Sequence, residues 1–183
     1  MKRISKFLVI ALVLVMTIGC GNMMDTPTKK VESLLNKYQT QDKEVINQLE
    51  EVVAAAGSLN EDQQEKYRDL MKRQYKNLTY KIKEEIEDGD TATVIVEIQV
   101  FDYGKAISDS ENYLVDNRNE FIIDSDSDTI DSTKYLDYKL ENMASITDKV
   151  TYTINFNLTK IDKEWKLNDL NDIDRMKLHG LYY

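Results

Sequence analysis

From Ala92 to Val100, and again from Val150 to Leu158, apolar residues occupy every second position. Ala92, Val94, Val96, Ile98 and Val100 alternate with Thr91, Thr93, Ile95, Glu97 and Gln99; Val150, Tyr152, Ile154, Phe156 and Leu158 alternate with Thr151, Thr153, Asn155, Asn157 and Thr159. A strand turns successive side chains to opposite faces, so each run has one dry and one wet face. That pattern belongs to an antiparallel sheet covered on one side; a parallel sheet buried on both sides reads as continuous apolar runs. Leu78, Tyr80, Ile82 and Ile86 add a strand before the first run, with Thr79, Lys81, Lys83 and Glu85 opposite, and Asp88-Gly89 forms the hairpin turn. A turn at Asp162-Lys163 leads to a last short strand through Trp165 and Leu167.

The dry face needs a cover, and helical periodicity supplies it. Thr26-Pro27 reads as an N-cap followed by proline at the first helical position. Val31, Leu34, Leu35 and Tyr38 then form one stripe. A second helix carries Val45, Ile46, Leu49, Val52, Val53 and Ala56 and stops at Gly57. Capping-box pairs Ser58/Glu61 and Asn60/Gln63 precede a third, with Tyr67, Leu70, Met71 and Tyr75 on its apolar side. Residues 104–147 interrupt the sheet with a helix bearing Ala106, Ile107, Tyr113, Leu114 and Phe121, a polar loop, and a helix bearing Leu136, Leu140, Met143 and Ala144. The tail from Asn171 to Tyr183 reads as irregular or a single turn. The expected fold is α+β: N-terminal helices on a curved antiparallel sheet, with a helical insertion between two hairpins, in one domain over 27–183.

The first residues have a separate purpose. Lys2, Arg3 and Lys6 precede an almost wholly apolar run from Phe7 to Ile18. Twelve helical residues reach only ~18 Å, short of a ~30 Å hydrocarbon core, so this is a secretory signal and not a spanning helix. Gly19 and Cys20 follow, and Cys20 is the only cysteine in the chain. Here the sequence resembles the bacterial lipoprotein signal, with Thr17 where an aliphatic residue is usual. The resemblance implies that residues 1–19 are removed and that Cys20 becomes the lipidated first residue, held at the extracellular face of the cell membrane. Residues 20–26 are then the lipidated cysteine and a tether reaching at most ~20 Å. The mature chain keeps 24 − 3 = 21 Lys+Arg against 33 Asp+Glu, a net charge of −12. Such a surface argues against nucleic-acid binding, and acyl chains, not basic patches, would hold the membrane.

The closing segment Lys160-Ile161-Asp162-Lys163-Glu164-Trp165-Lys166-Leu167, behind paired helices and long strands, resembles the NTF2-like (cystatin-like) domains of Gram-positive surface lipoproteins. Those domains often close with Lys-x-Asp-Gly-x-Trp-Lys-aliphatic, and Lys163 stands where their turn glycine is common. The resemblance implies a curved sheet wrapped against helices, often around a conical pocket. Some members are enzymes, and the fold by itself transfers little chemistry.

Candidate sites follow from that frame. Tyr80, Tyr152, Phe156 and Trp165 fall on inward strand positions, where they either line a ligand cavity or form plain core. Asp124, Asp126 and Asp128 alternate like the opening of an EF-hand loop, a weak Ca²⁺ site at best. Thr129 replaces its glycine and Tyr135 its bidentate glutamate. His179, near Asp172 and Asp174, is the one imidazole available as a base. One Cys and one His exclude a disulfide framework, a zinc finger and a Cys-His catalytic pair. The expected role is a non-enzymatic module binding a small molecule or an envelope protein. The alternatives are a pocket enzyme using carboxylate/Tyr proton transfer, and a structural spacer with a filled core.

Overall fold

A computed structural model describes residues 25–123 and 129–183. Three helices come first: α1 (Pro27–Gln39), α2 (Lys43–Ala55) and α3 (Glu61–Asn77). The hairpin β1 (Thr79–Asp88) and β2 (Thr91–Phe101) follows, then α4 (Tyr103–Asp116), a 3₁₀ turn at Arg118–Phe121 and α5 (Ser132–Ser145). The chain closes with β3 (Lys149–Ile161), β4 (Glu164–Leu167) and α6 (Asp172–Leu178). The strands form one antiparallel sheet in the order β1-β2-β3-β4. The protein is α+β, and α4 with α5 form an excursion between its two central strands.

The caps act as the sequence indicates. Thr26 Oγ1 accepts from the Lys29 N–H, and Asn60 with Gln63 form a reciprocal capping box on α3. Val31, Leu34, Leu35 and Tyr38 of α1 pack into one core with the inward residues of β2 and β3. Ala92, Val94, Val96, Ile98, Val100, Ile154, Phe156 and Leu158 are all buried there, so this face of the sheet is dry. The opposite face carries exposed threonines and asparagines, including Thr151, Thr153, Asn155 and Asn157.

Two expectations need correction. Ile86 does not share the face of Ile82. The register steps from Ile82 opposite Val96 to Glu84 opposite Ile95, leaving Lys83 as a bulge that flips the rest of β1. Ile86 is thereby turned outward, opposite Thr93 and about half exposed, while Glu85 swings to the side of Val94. There Glu85 Oε2 accepts the Thr28 N–H at 2.8 Å, placing a carboxylate on the first turn of α1. The tail is not irregular either: α6 runs two turns, N-capped by Asn171, and Leu178 and Leu181 are buried.

The far end of the sheet is pinned by one side chain. Gln74 of α3 is fully buried; its Oε1 accepts the Phe101 N–H at 2.8 Å, and its Nε2 donates to the carbonyls of Phe101 (3.0 Å) and His179 (2.9 Å). The Gly104 N–H donates to the Gly180 carbonyl at 2.7 Å, tying the segment after α6 to the start of α4.

Candidate functional site

The four aromatics of the sheet do not converge on one point. Tyr80, Ile98 and Tyr152 form a row across β1, β2 and β3, with Ile98 separating the tyrosines. Both tyrosines are half-buried, and both hydroxyls are engaged. Tyr80 donates to Asn36 Oδ1 at 3.2 Å, and Tyr152 donates to the Tyr182 carbonyl at 3.1 Å. Burial raises the pKa of each; Glu32 adds to this at Tyr80, and Asp102 and Tyr182 at Tyr152. Phe156 lies farther along β3, opposite Val94, and is wholly inside the core. Trp165 is buried on β4, with Lys160 Nζ 4.8 Å above its ring. Phe156 and Trp165 belong to the packed sheet–helix layer, and the two tyrosines pack against its margin.

His179 follows α6 and sits against two tyrosines. Its ring centroid is 5.9 Å from that of Tyr38 and 5.6 Å from that of Tyr75, which are themselves 5.0 Å apart. Its Nδ1 is shut from solvent without a hydrogen-bond partner. Burial, aided by the Arg175 guanidinium, lowers its pKa to about 4. Asp172 pairs with Arg175, and Asp174 with Lys177, so neither acid orients the imidazole. His179 is a neutral packing residue, not a poised base.

A polar cluster that the sequence reading missed lies between α4 and α5. Lys139 is only 5% exposed, although it carries an ammonium. Its Nζ is 3.9 Å from Glu111 Oε1, beyond hydrogen-bond reach, and 5.0 Å from the centre of the Tyr135 ring. The Tyr183 hydroxyl donates to that same Glu111 oxygen at 3.0 Å. The Tyr135 hydroxyl is buried and has no hydrogen-bond partner. Burial lowers the pKa of Lys139 against the opposing pull of Glu111, and raises that of Tyr135. Beneath the cluster, Ser110 accepts from Asn142 at 2.9 Å, and Tyr113 stacks on Tyr138 with centroids 4.8 Å apart. A signal was present: Lys139 interrupts the apolar stripe of Leu136, Leu140 and Met143, where a charge must be buried or must snorkel.

Cys20 and Asp124, Asp126 and Asp128 lie outside the described residues. Among the described residues, no cluster of three or more His, Cys, Asp or Glu is arranged to hold a metal ion, and no helix is long and apolar enough to cross a membrane. No family model matches this chain, and no curated protein or solved structure proved significantly similar to it.

Proposed function

We propose that this chain is a lipoprotein anchored through Cys20 at the extracellular face of the cell membrane. On this reading its NTF2-like (cystatin-like) domain binds a small molecule or another envelope protein. The signal-like residues 1–19 and the lone cysteine behind them support the address. One observation carries the binding role. The Tyr135 hydroxyl is buried without a hydrogen-bond partner, and the ammonium of buried Lys139, ion-paired with Glu111 at 3.9 Å, lies 5.0 Å from the centre of the Tyr135 ring in the same inserted α4–α5 layer. A buried hydroxyl that lacks a partner is costly to keep, and an acidic or carbonyl group from a ligand would accept from it and add to the weak pairing of the Lys139 ammonium. On this reading the binding site lies in the α4–α5 layer, because Phe156 and Trp165 are packed in the core and the Tyr80 and Tyr152 hydroxyls are engaged within the fold.

Isothermal titration of the intact protein with carboxylate- and phosphate-bearing small molecules tests this role. Binding abolished by Lys139→Met, with an unchanged circular dichroism spectrum, is the supporting result. Binding untouched by that substitution moves the site elsewhere. The enzyme alternative retains one specific support, the Tyr183 hydroxyl on the Glu111 carboxylate with Lys139 nearby. It would need turnover that Glu111→Gln abolishes.

A further inference from the structure

The tether is short enough to choose which end of the domain meets the membrane. Asp25, the first described residue, is tied down at one end of the sheet. Its Oδ2 accepts the Trp165 N–H at 2.8 Å, and its Oδ1 pairs with Lys30 at 2.8 Å. Trp165 is opposite Lys160, whose N–H donates to the Asp90 carbonyl at 2.8 Å. The β1–β2 and β3–β4 turns and the start of α1 therefore all gather around Asp25. Five residue steps separate Cys20 from Asp25, a reach of at most ~18 Å. In contrast, β3 runs from Ile161 at this end to Lys149 at the other, twelve steps or about 40 Å of strand. An acylated Cys20 cannot bring the far end of the sheet as close to the lipid as the hairpin end without turning the domain over its own tether.

Two large apolar side chains stand exposed at this same end, Ile86 at 48% and Ile161 at 45%, both on the open face of the sheet. Among the described residues nothing covers the exposed half of either side chain. We propose that the hairpin end, bearing Ile86, Ile161 and the two turns, is the surface laid against the phospholipid headgroup layer. The opposite end, where β2 passes into α4 and α5 into β3, then faces away from the membrane. This orientation rests on the lipoprotein reading of Cys20. Its test uses the acylated full-length protein in phosphatidylcholine vesicles that contain a headgroup-labelled acceptor lipid. Glu164→Cys, beside the β3–β4 turn, and Thr147→Cys, before β3, each carry a fluorescent donor; both positions are exposed. Asp90→Cys gives a second reading at the hairpin end should Glu164→Cys fail to fold. Transfer from the hairpin-end donor at least about twofold stronger than from position 147 is expected from the separation along β3. Equal transfer, or stronger transfer from position 147, overturns the orientation while leaving the anchor intact. A protein whose mass shows no acyl chain overturns the anchor, and the orientation with it.

Discussion

Gln74 pairs with Phe101 as a neighbouring strand would, accepting its N–H and donating to its carbonyl. The amide thus extends the hydrogen bonding of β2 into α3, and its second donor bond holds the His179 carbonyl. Gln74→Leu keeps most of the volume and leaves the two buried Phe101 backbone groups and the part-buried His179 carbonyl without this partner. A loss of about 2–4 kcal/mol is expected, read as a lower urea midpoint. An unchanged midpoint would mean that water replaces the amide at no cost.

Backbone handedness sets two glycine substitutions in opposite directions. Gly180 has φ +69°, and a Cβ there would drive into Gln74 Nε2 and the Phe101 carbonyl. Gly180→Ala is expected to cost about 2–4 kcal/mol, through strain and overlap together. Asp162 and Lys163, at φ 53° and 69°, make the β3–β4 turn left-handed at both central positions, the I′ form that favours glycine second. Lys163→Gly is therefore expected to stabilise by about 1 kcal/mol. Thermal melts of the two variants should move apart from the parent, down for the first and up for the second.

Acid should weaken the His179 contact. The folded imidazole titrates near 4, against 6.5 for a free one. Below about pH 6.5 the unfolded chain takes up a proton that the folded chain refuses, so stability falls as pH drops toward 4 and this contribution then levels off. The residue as a whole is half-buried, so the loss is expected to be about 1–2 kcal/mol. His179→Phe keeps an aromatic ring beside Tyr38 and Tyr75 and should flatten this part of the profile. Carboxylate titration is common to both proteins, so the difference between them isolates the histidine. Parallel profiles from pH 7.5 to 4 would contradict the assignment.

Lys139 offers a stability–function contrast. Its ammonium is buried beside a carboxylate it does not hydrogen-bond. Lys139→Met removes the desolvation cost and keeps the stem packing, so the free protein should be equally stable or up to about 1 kcal/mol more stable. Glu111→Gln leaves the ammonium without its counter-charge and should cost about 1 kcal/mol. Chemical denaturation of both variants checks the pair of signs. A large loss in Lys139→Met would show that the lysine is structural.

What the sequence made legible was whatever repeats. The alternation in β2 and β3 and the stripe through Val31, Leu34, Leu35 and Tyr38 each require many residues to agree, so a single exception does not blur them. The features that escaped depend on single residues. The bulge at Lys83 reverses the faces of β1 beyond it, and no period-2 reading locates an inserted residue that is polar among polar neighbours. Gln74 and Lys139 lie on apolar stripes as isolated polar residues, and their partners come from distant elements, Phe101 and His179 for one and Glu111 for the other. α6 was obscured by its length, seven residues dense in charge, where Arg175 and Lys177 reach back to Asp172 and Asp174. Phe156 and Trp165 are buried, as their inward strand positions require, but periodicity alone does not distinguish core from cavity lining.

Anchoring at Cys20 is the claim on which both the address and the orientation depend, and intact-protein mass spectrometry of membrane-extracted material tests it most directly. Expected is a chain beginning at Cys20 and heavier than the bare 20–183 polypeptide by a thioether-linked diacylglycerol. A chain that retains residues 1–19, or one that begins at an unmodified Cys20, would contradict it.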